Sequence, residues 1–86
     1  MKLSWTDHAW DDYLYWQTQD RKTHKRINAL IADIKRDPDG SGIGKPELLR
    51  NNLAGLRSRR IDEEHRLVYA VEPNELTVIS CRFHHE

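Results

Sequence analysis

Leu3 and Trp5 alternate with Lys2 and Ser4, the period of two that a short strand requires. Thr6 then stands where a helix cap is needed, with Asp7 in the first turn to complement the macrodipole. Ala9, Trp10, Tyr13, Leu14 and Trp16 recur at helical spacings and predict a first helix with a wide, aromatic face. Asp20 is placed to cap a second helix, in which Ile27, Leu30, Ile31 and Ile34 fall at i, i+3, i+4 and i+7. That single stripe is set against a face carrying Arg21, Lys22, Lys25, Arg26, Lys35 and Arg36. Asp37-Pro38 ends the helix, because the residue before a proline avoids the α region. Asp37 to Pro46 holds three of the four glycines and two of the three prolines. It reads as a loop whose backbone can approach a neighbour closely. Beyond it, Leu53 to Ile61, His65 to Val71 and Leu76 to Phe83 read as strands. Turns at Asp62-Glu63-Glu64 and Glu72-Pro73-Asn74-Glu75 join them into an antiparallel meander. The predicted class is α+β: an N-terminal strand and two helices packed on one face of a small antiparallel sheet.

The chain of 86 residues is long enough for one domain, spanning 1–86, with a small core. One cysteine, Cys81, cannot form an internal disulfide, and no Cys/His spacing reads as a zinc site, so no metal or cofactor is expected. The opening residues lack a signal peptide's apolar stretch, and no segment approaches the ~20 apolar residues of a membrane span. A soluble protein of a reducing compartment, the cytoplasm, is the expectation. Fourteen Lys and Arg against fourteen Asp and Glu give a formal net charge of zero, which speaks against a generic basic nucleic-acid coat. The balance is uneven, however: Lys45 to Arg60 carries Lys45, Arg50, Arg57, Arg59 and Arg60 against the single acid Glu47.

Several side chains in this second half can carry chemistry. Glu47 follows Gly44-Lys45-Pro46 in the loop and, taken alone, reads as a solvated carboxylate. Arg66 shares a strand face with Val68 and Ala70, and a surface ion pair with Asp62 or Glu64 is its ordinary reading. Arg60 lies near the end of the preceding strand, so the hairpin can bring it to the same side as Arg66. Two guanidiniums converging there would repel unless an anion such as a phosphate lay between them. Alternation through Phe83 places Arg82 and His84 on one face and Phe83 and His85 on the other. His8, His24 and His65 show no partner spacing and read as surface or turn residues, whereas Cys81 reads as core. A carboxylate, arginines and a histidine are the parts needed to cleave RNA without a metal. The ribose 2′-OH must lose a proton, the leaving 5′-oxygen must gain one, and the phosphate's developing charge must be held.

With those residues assembled, the chain resembles the YoeB-type toxins of the RelE superfamily of ribosome-dependent mRNA endoribonucleases. The resemblance is carried by Trp10-Asp11-Asp12-Tyr13-Leu14-Tyr15-Trp16, Lys25-Arg26-Ile27-Asn28 and Gly42-Ile43-Gly44-Lys45-Pro46-Glu47. It continues through Ser58-Arg59-Arg60-Ile61, the run from Glu63 to Val71, and Cys81-Arg82-Phe83-His84. It implies a compact microbial-ribonuclease-like fold, cleavage of mRNA in the A site of the 70S ribosome, a homodimer, and neutralisation by a cognate antitoxin. Carried over residue by residue, it implies Glu47 as general base, Arg66 as transition-state stabiliser and His84 as general acid. Lys45, Arg50, Arg59, Arg60 and Arg82 become candidates for RNA phosphate contacts. The family usually ends His-Tyr where this chain has His84-His85-Glu86, so His85 stands in for a tyrosine that shapes the site. Leu56-Arg57 replaces a pair of aromatics, and Asp39-Gly40-Ser41-Gly42 replaces an aromatic after proline. These departures motivate an alternative, an attenuated or inactive homologue that binds antitoxin or ribosome. A structural homodimer built on the aromatic helix is a third reading. Metal hydrolysis through His84, His85 and Glu86 is disfavoured, because adjacent strand residues point to opposite faces.

Overall fold

The computed structural model describes residues 1–40 and 42–83. Strand β1 (Lys2–Trp5) leads into helices α1 (Asp7–Gln19) and α2 (Arg21–Arg36). The chain then runs through β2 (Glu47–Leu48), a 3-10 turn (Asn51–Leu53), β3 (Arg57–Arg60), β4 (Arg66–Glu72) and β5 (Glu75–Ser80). The five strands form one sheet in the order β1-β5-β4-β3-β2. β3 to β5 make the predicted antiparallel meander, and β2, a strand outside that prediction, pairs antiparallel with β3. β1 corrects the all-antiparallel expectation: it lies parallel to β5, from Lys2 opposite Glu75 to Trp5 opposite Val78. No hairpin joins these two strands, so the direction of β1 is set by the helices that return the chain.

Both predicted caps form. Thr6 Oγ1 accepts from the Ala9 amide at 3.0 Å and donates to the Ile79 carbonyl at 2.8 Å, fastening the start of α1 to β5. The Asp20 carboxylate accepts from the Thr23 hydroxyl and from the Lys22 and Thr23 amides. The bonds from Thr23 foremost hold its pKa below the usual carboxylate range.

Ile27, Leu30, Ile31 and Ile34 of α2 are buried against Leu67, Tyr69, Leu76 and Val78 of the sheet, as their stripe predicts. The first helix departs from its pattern. Its buried residues are Ala9, Asp12 and Trp16, whereas Trp10 and Leu14 keep 44% and 41% of their surface exposed. A carboxylate can occupy that core stripe because Asp12 Oδ2 accepts the Cys81 amide at 3.0 Å.

Strand limits also differ from the sequence pattern. β3 begins at Arg57 rather than Leu53, because residues 51–53 coil into the 3-10 turn. β5 ends at Ser80 rather than Phe83; Phe83 has φ of +66° and is 51% exposed, which interrupts the expected alternation. No helix among the described residues is long and apolar enough to cross a membrane.

Candidate active site

Register decides which side chains meet. Glu47 lies opposite Ser58, Ser58 opposite Val68, and Arg60 opposite Arg66. Residues directly opposite in an antiparallel pair share a face. Leu67 and Tyr69 are packed toward the helices, so Glu47, Ser58, Arg60 and Arg66 lie together on the helix-free face. There Arg66 Nη1 donates to Ser58 Oγ at 3.1 Å and stands 3.6 Å from Glu47 Oε1. The Arg66 side chain is only 12% exposed and the Glu47 side chain 53%, so the cation is held while the carboxylate stays open to a ligand. Arg66 does not take Asp62 or Glu64 as its ion-pair partner. The Asp62 carboxylate instead accepts the Glu64 and His65 amides and shapes the β3–β4 turn.

The glycine loop presents Glu47 because it is clamped from beneath. Asp33 Oδ2 accepts Arg59 Nη1 at 2.5 Å and the Ile43 amide at 3.2 Å. Arg59 donates in turn to the Ile43 carbonyl at 3.1 Å and the Tyr69 hydroxyl at 3.2 Å. Further along, the Gly44 carbonyl accepts the Arg60 amide at 2.6 Å. Both Gly44 (φ +85°) and Lys45 (φ +49°) adopt left-handed backbone, turning the chain into β2. The close neighbour that Gly42 accommodates is the Asp33–Arg59 pair. A Cβ on Gly42 would sit 1.7 Å from Asp33 Oδ2 and 2.9 Å from Arg59 Nη1.

Arg59 is thus a correction to the list of phosphate contacts. It is fully buried and committed to Asp33, Ile43 and Tyr69, so it does not reach RNA. Burial works against its charge, but the Tyr69 hydroxyl and the Asp33 carboxylate more than offset that, and its pKa rises. Asp33 shifts the other way: the hydrogen bond from Arg59 outweighs burial and holds its pKa below the usual range.

Of the remaining basic residues, Lys45 and Arg50 are exposed, and Arg60 is half-buried on the face of Arg66. Arg82 is half-buried, its guanidinium 3.6 Å above the Tyr15 ring. Arg57 binds Asp39 Oδ1 and the Pro38 carbonyl, each at 2.8 Å. His84 and His85 lie outside the described residues.

Sequence reasoning missed Ser58, wholly buried beneath Arg66. It also missed His65, expected at the surface but buried edge-on to Trp16, with ring centroids 4.8 Å apart. No local pattern marks either residue.

A family model of YoeB-like toxins of bacterial type II toxin-antitoxin systems matches residues 5–85. The chain belongs to the YoeB toxin family. Toxin YoeB of Escherichia coli K12 is 55% identical over 85 residues, covering 99% of this chain and 100% of that relative. Among solved structures, a YoeB/ParE toxin from Agrobacterium tumefaciens superposes with a TM-score of 0.94 at 50% identity, covering 99% of this chain and 100% of that one. The YoeB of Staphylococcus aureus has been solved as a dimer and in a heterotetrameric complex with YefM. Its TM-scores are 0.92 and 0.91, each at 45% identity over 99% of this chain and 98% of that one. The YoeB assignment agrees with the two-helix, five-stranded α+β architecture and makes this chain a toxin of a toxin-antitoxin system.

Proposed function

We propose that this YoeB-family toxin is a ribosome-dependent mRNA endoribonuclease that cleaves mRNA in the A site without a metal. The observation that carries the reading is the Glu47 carboxylate open to ligand beside the held Arg66 guanidinium, 3.6 Å apart. In this reading Glu47 accepts the proton of the ribose 2′-OH, and the 2′-oxygen attacks the adjacent phosphorus. The 5′-oxygen leaves with a proton supplied by His84, giving a 2′,3′-cyclic phosphate and a free 5′-hydroxyl. Arg66, with Arg60 opposite it, holds the charge that builds on the phosphate oxygens. Lys45, Arg50 and Arg82 contact RNA phosphates further out, and His85 completes the site in place of the family's terminal tyrosine.

The zero net charge supports dependence on the ribosome. Affinity for free RNA comes mainly from phosphate neutralisation, and a neutral protein supplies little of it. A cognate antitoxin that silences the toxin belongs to the same reading, supported by the S. aureus relative's complex with YefM, as does a homodimer, supported by that relative's dimer. The test is cleavage of a defined mRNA by this protein on purified ribosomes, with Glu47→Ala, Arg66→Ala and His84→Ala alongside. Retained cleavage in all three variants would reject the assignment.

His85-Glu86 in place of a terminal tyrosine favours a second reading, an attenuated toxin that still binds its antitoxin or the ribosome. His85→Tyr would then create cleavage from a silent background; a parent already active rules this reading out.

A further inference from the structure

Beyond Ser80 the chain leaves regular strand structure, yet its main chain is tied at every polar group of Cys81 and Phe83. The Cys81 amide donates to Asp12 Oδ2 at 3.0 Å, and the Cys81 carbonyl accepts Trp16 Nε1 at 2.8 Å. The Phe83 amide donates to His65 Nδ1 at 2.7 Å, and the Phe83 carbonyl accepts the Arg66 amide at 3.0 Å. Adjacent residues His65 and Arg66 therefore grip both sides of one residue. That residue precedes His84 in the chain, and the second half of the grip is the backbone of Arg66.

The local chemistry fits a dedicated holder. Accepting an N–H at Nδ1 requires that nitrogen to be unprotonated, which in a neutral imidazole puts the proton on Nε2. Nε2 faces Glu64 Oε1 at 3.7 Å. The ring is fixed edge-on by Trp16 and lies 5.7 Å from the Phe83 ring. Phe83 needs such restraint, since φ of +66° is unfavourable for a bulky residue and persists only where the surroundings impose it. An apolar side chain at 65 would fill the space against Trp16 but leave the Phe83 amide without an acceptor.

We infer that His65 is a positioning residue for the cleavage reaction, fixing through its Nδ1 the main chain of Phe83 beside Arg66. The inference rests on the proposed endoribonuclease reading, which assigns the acid to His84, one peptide unit (~3.8 Å between Cα atoms) beyond Phe83. Its consequence is kinetic. Loss of the acceptor releases the Phe83 amide while Glu47, Ser58 and Arg66 stay in place, so turnover falls and ribosome binding does not. A misplacement of about 1 Å in a catalytic group can lower a rate on the order of 100-fold.

The experiment compares parent, His65→Leu, His65→Phe and His65→Asn in single-turnover cleavage of ribosome-bound mRNA, with amide hydrogen exchange at Phe83 measured on the same proteins. Asparagine carries an acceptor oxygen near the place of Nδ1; phenylalanine keeps the ring against Trp16 and serves if the leucine variant does not fold. The expected result is a rate about 10- to 100-fold lower in the leucine and phenylalanine variants, with unchanged half-saturating concentration, and most of the rate restored in the asparagine variant. Exchange at Phe83 should be slow in parent and asparagine variant and faster in the other two. Parent-like rates and parent-like Phe83 exchange in the folded leucine or phenylalanine variant overturn the inference. So does equal impairment of all three variants in step with their loss of stability. A parent that cleaves nothing on ribosomes rejects the endoribonuclease reading instead, and Phe83 exchange still decides whether His65 holds the Phe83 main chain.

Discussion

Glu47 of β2 and Arg66 of β4 belong to strands that do not touch, yet they come within 3.6 Å of each other across Ser58 of β3. Arg66 bonds to the Ser58 hydroxyl on the way, which fixes the guanidinium without saturating it. It carries five N–H donors, and the bond to Ser58 and the pairing with Glu47 leave others for a phosphate. The sheet builds a base and an anion holder side by side and leaves the carboxylate accessible.

The buried Asp33–Arg59 pair supports that arrangement from below, and breaking it should be costly. Asp33→Ala leaves the Arg59 guanidinium enclosed with its carboxylate partner gone, which should lower the melting temperature by roughly 10 °C or more. Thermal unfolding followed by circular dichroism checks this. A shift below about 2 °C would show that the pair is not what anchors the loop.

The same pair sets a pH dependence. Its folded-state pKa is depressed, so Asp33 contributes stability that is fully present above the unfolded carboxylate value of about 3.9. That contribution is lost as pH falls through the lower folded value. Urea midpoints of the parent and of Asp33→Asn should therefore differ most above pH ~5 and converge in acid. A gap that is constant with pH would contradict the ion pair.

Gly44 is the loop position where a tight neighbour and a left-handed backbone coincide. A Cβ there would lie 2.8 Å from Leu30 Cδ2 and 3.1 Å from both Arg59 Cβ and the Arg60 carbonyl, on a backbone with φ of +85°. Gly44→Ala should destabilise by about 1–3 kcal/mol and reduce activity through displacement of Glu47. Gly55, with φ of +93° and nothing within 4 Å of its added Cβ, is the control: Gly55→Ala should cost only the backbone strain. Chemical denaturation of the two variants separates strain from collision.

Cys81 should be inert in the native protein. Burial first, and then the nearby Asp12 carboxylate, push its thiol up to about 12. Labelling with a maleimide at pH 8 should be at least ~100-fold slower than in the urea-unfolded chain. Comparable rates would mean that the tail opens readily.

The second helix and strands β4 and β5 were legible from pattern alone because each carries a run of buried apolar residues. The neighbouring arginines 59 and 60 were not separable in that way. β3 reads Arg57-Ser58-Arg59-Arg60 and has no apolar residue to mark its inner face, so only its pairing shows Arg59 turning inward opposite Leu67. β2, two residues long, is too short for any periodicity to register. Asp12 and His65 escaped for a different reason: their partners, Cys81 and Phe83, lie 69 and 18 residues away, and local spacing carries no trace of such bonds. The residues proposed for catalysis, by contrast, came from the family's motifs, and the register then brings Glu47, Arg60 and Arg66 to one face.

The most direct test of the account is single-turnover cleavage of a defined mRNA on purified ribosomes by the parent, Glu47→Gln and Arg66→Ala, with folding verified by circular dichroism. The account predicts chelator-insensitive cleavage by the parent, yielding 2′,3′-cyclic phosphate ends, and rates at least ~100-fold lower in each variant. Cleavage by both variants at the parent's rate, or equal cleavage of naked RNA at physiological salt, would contradict it.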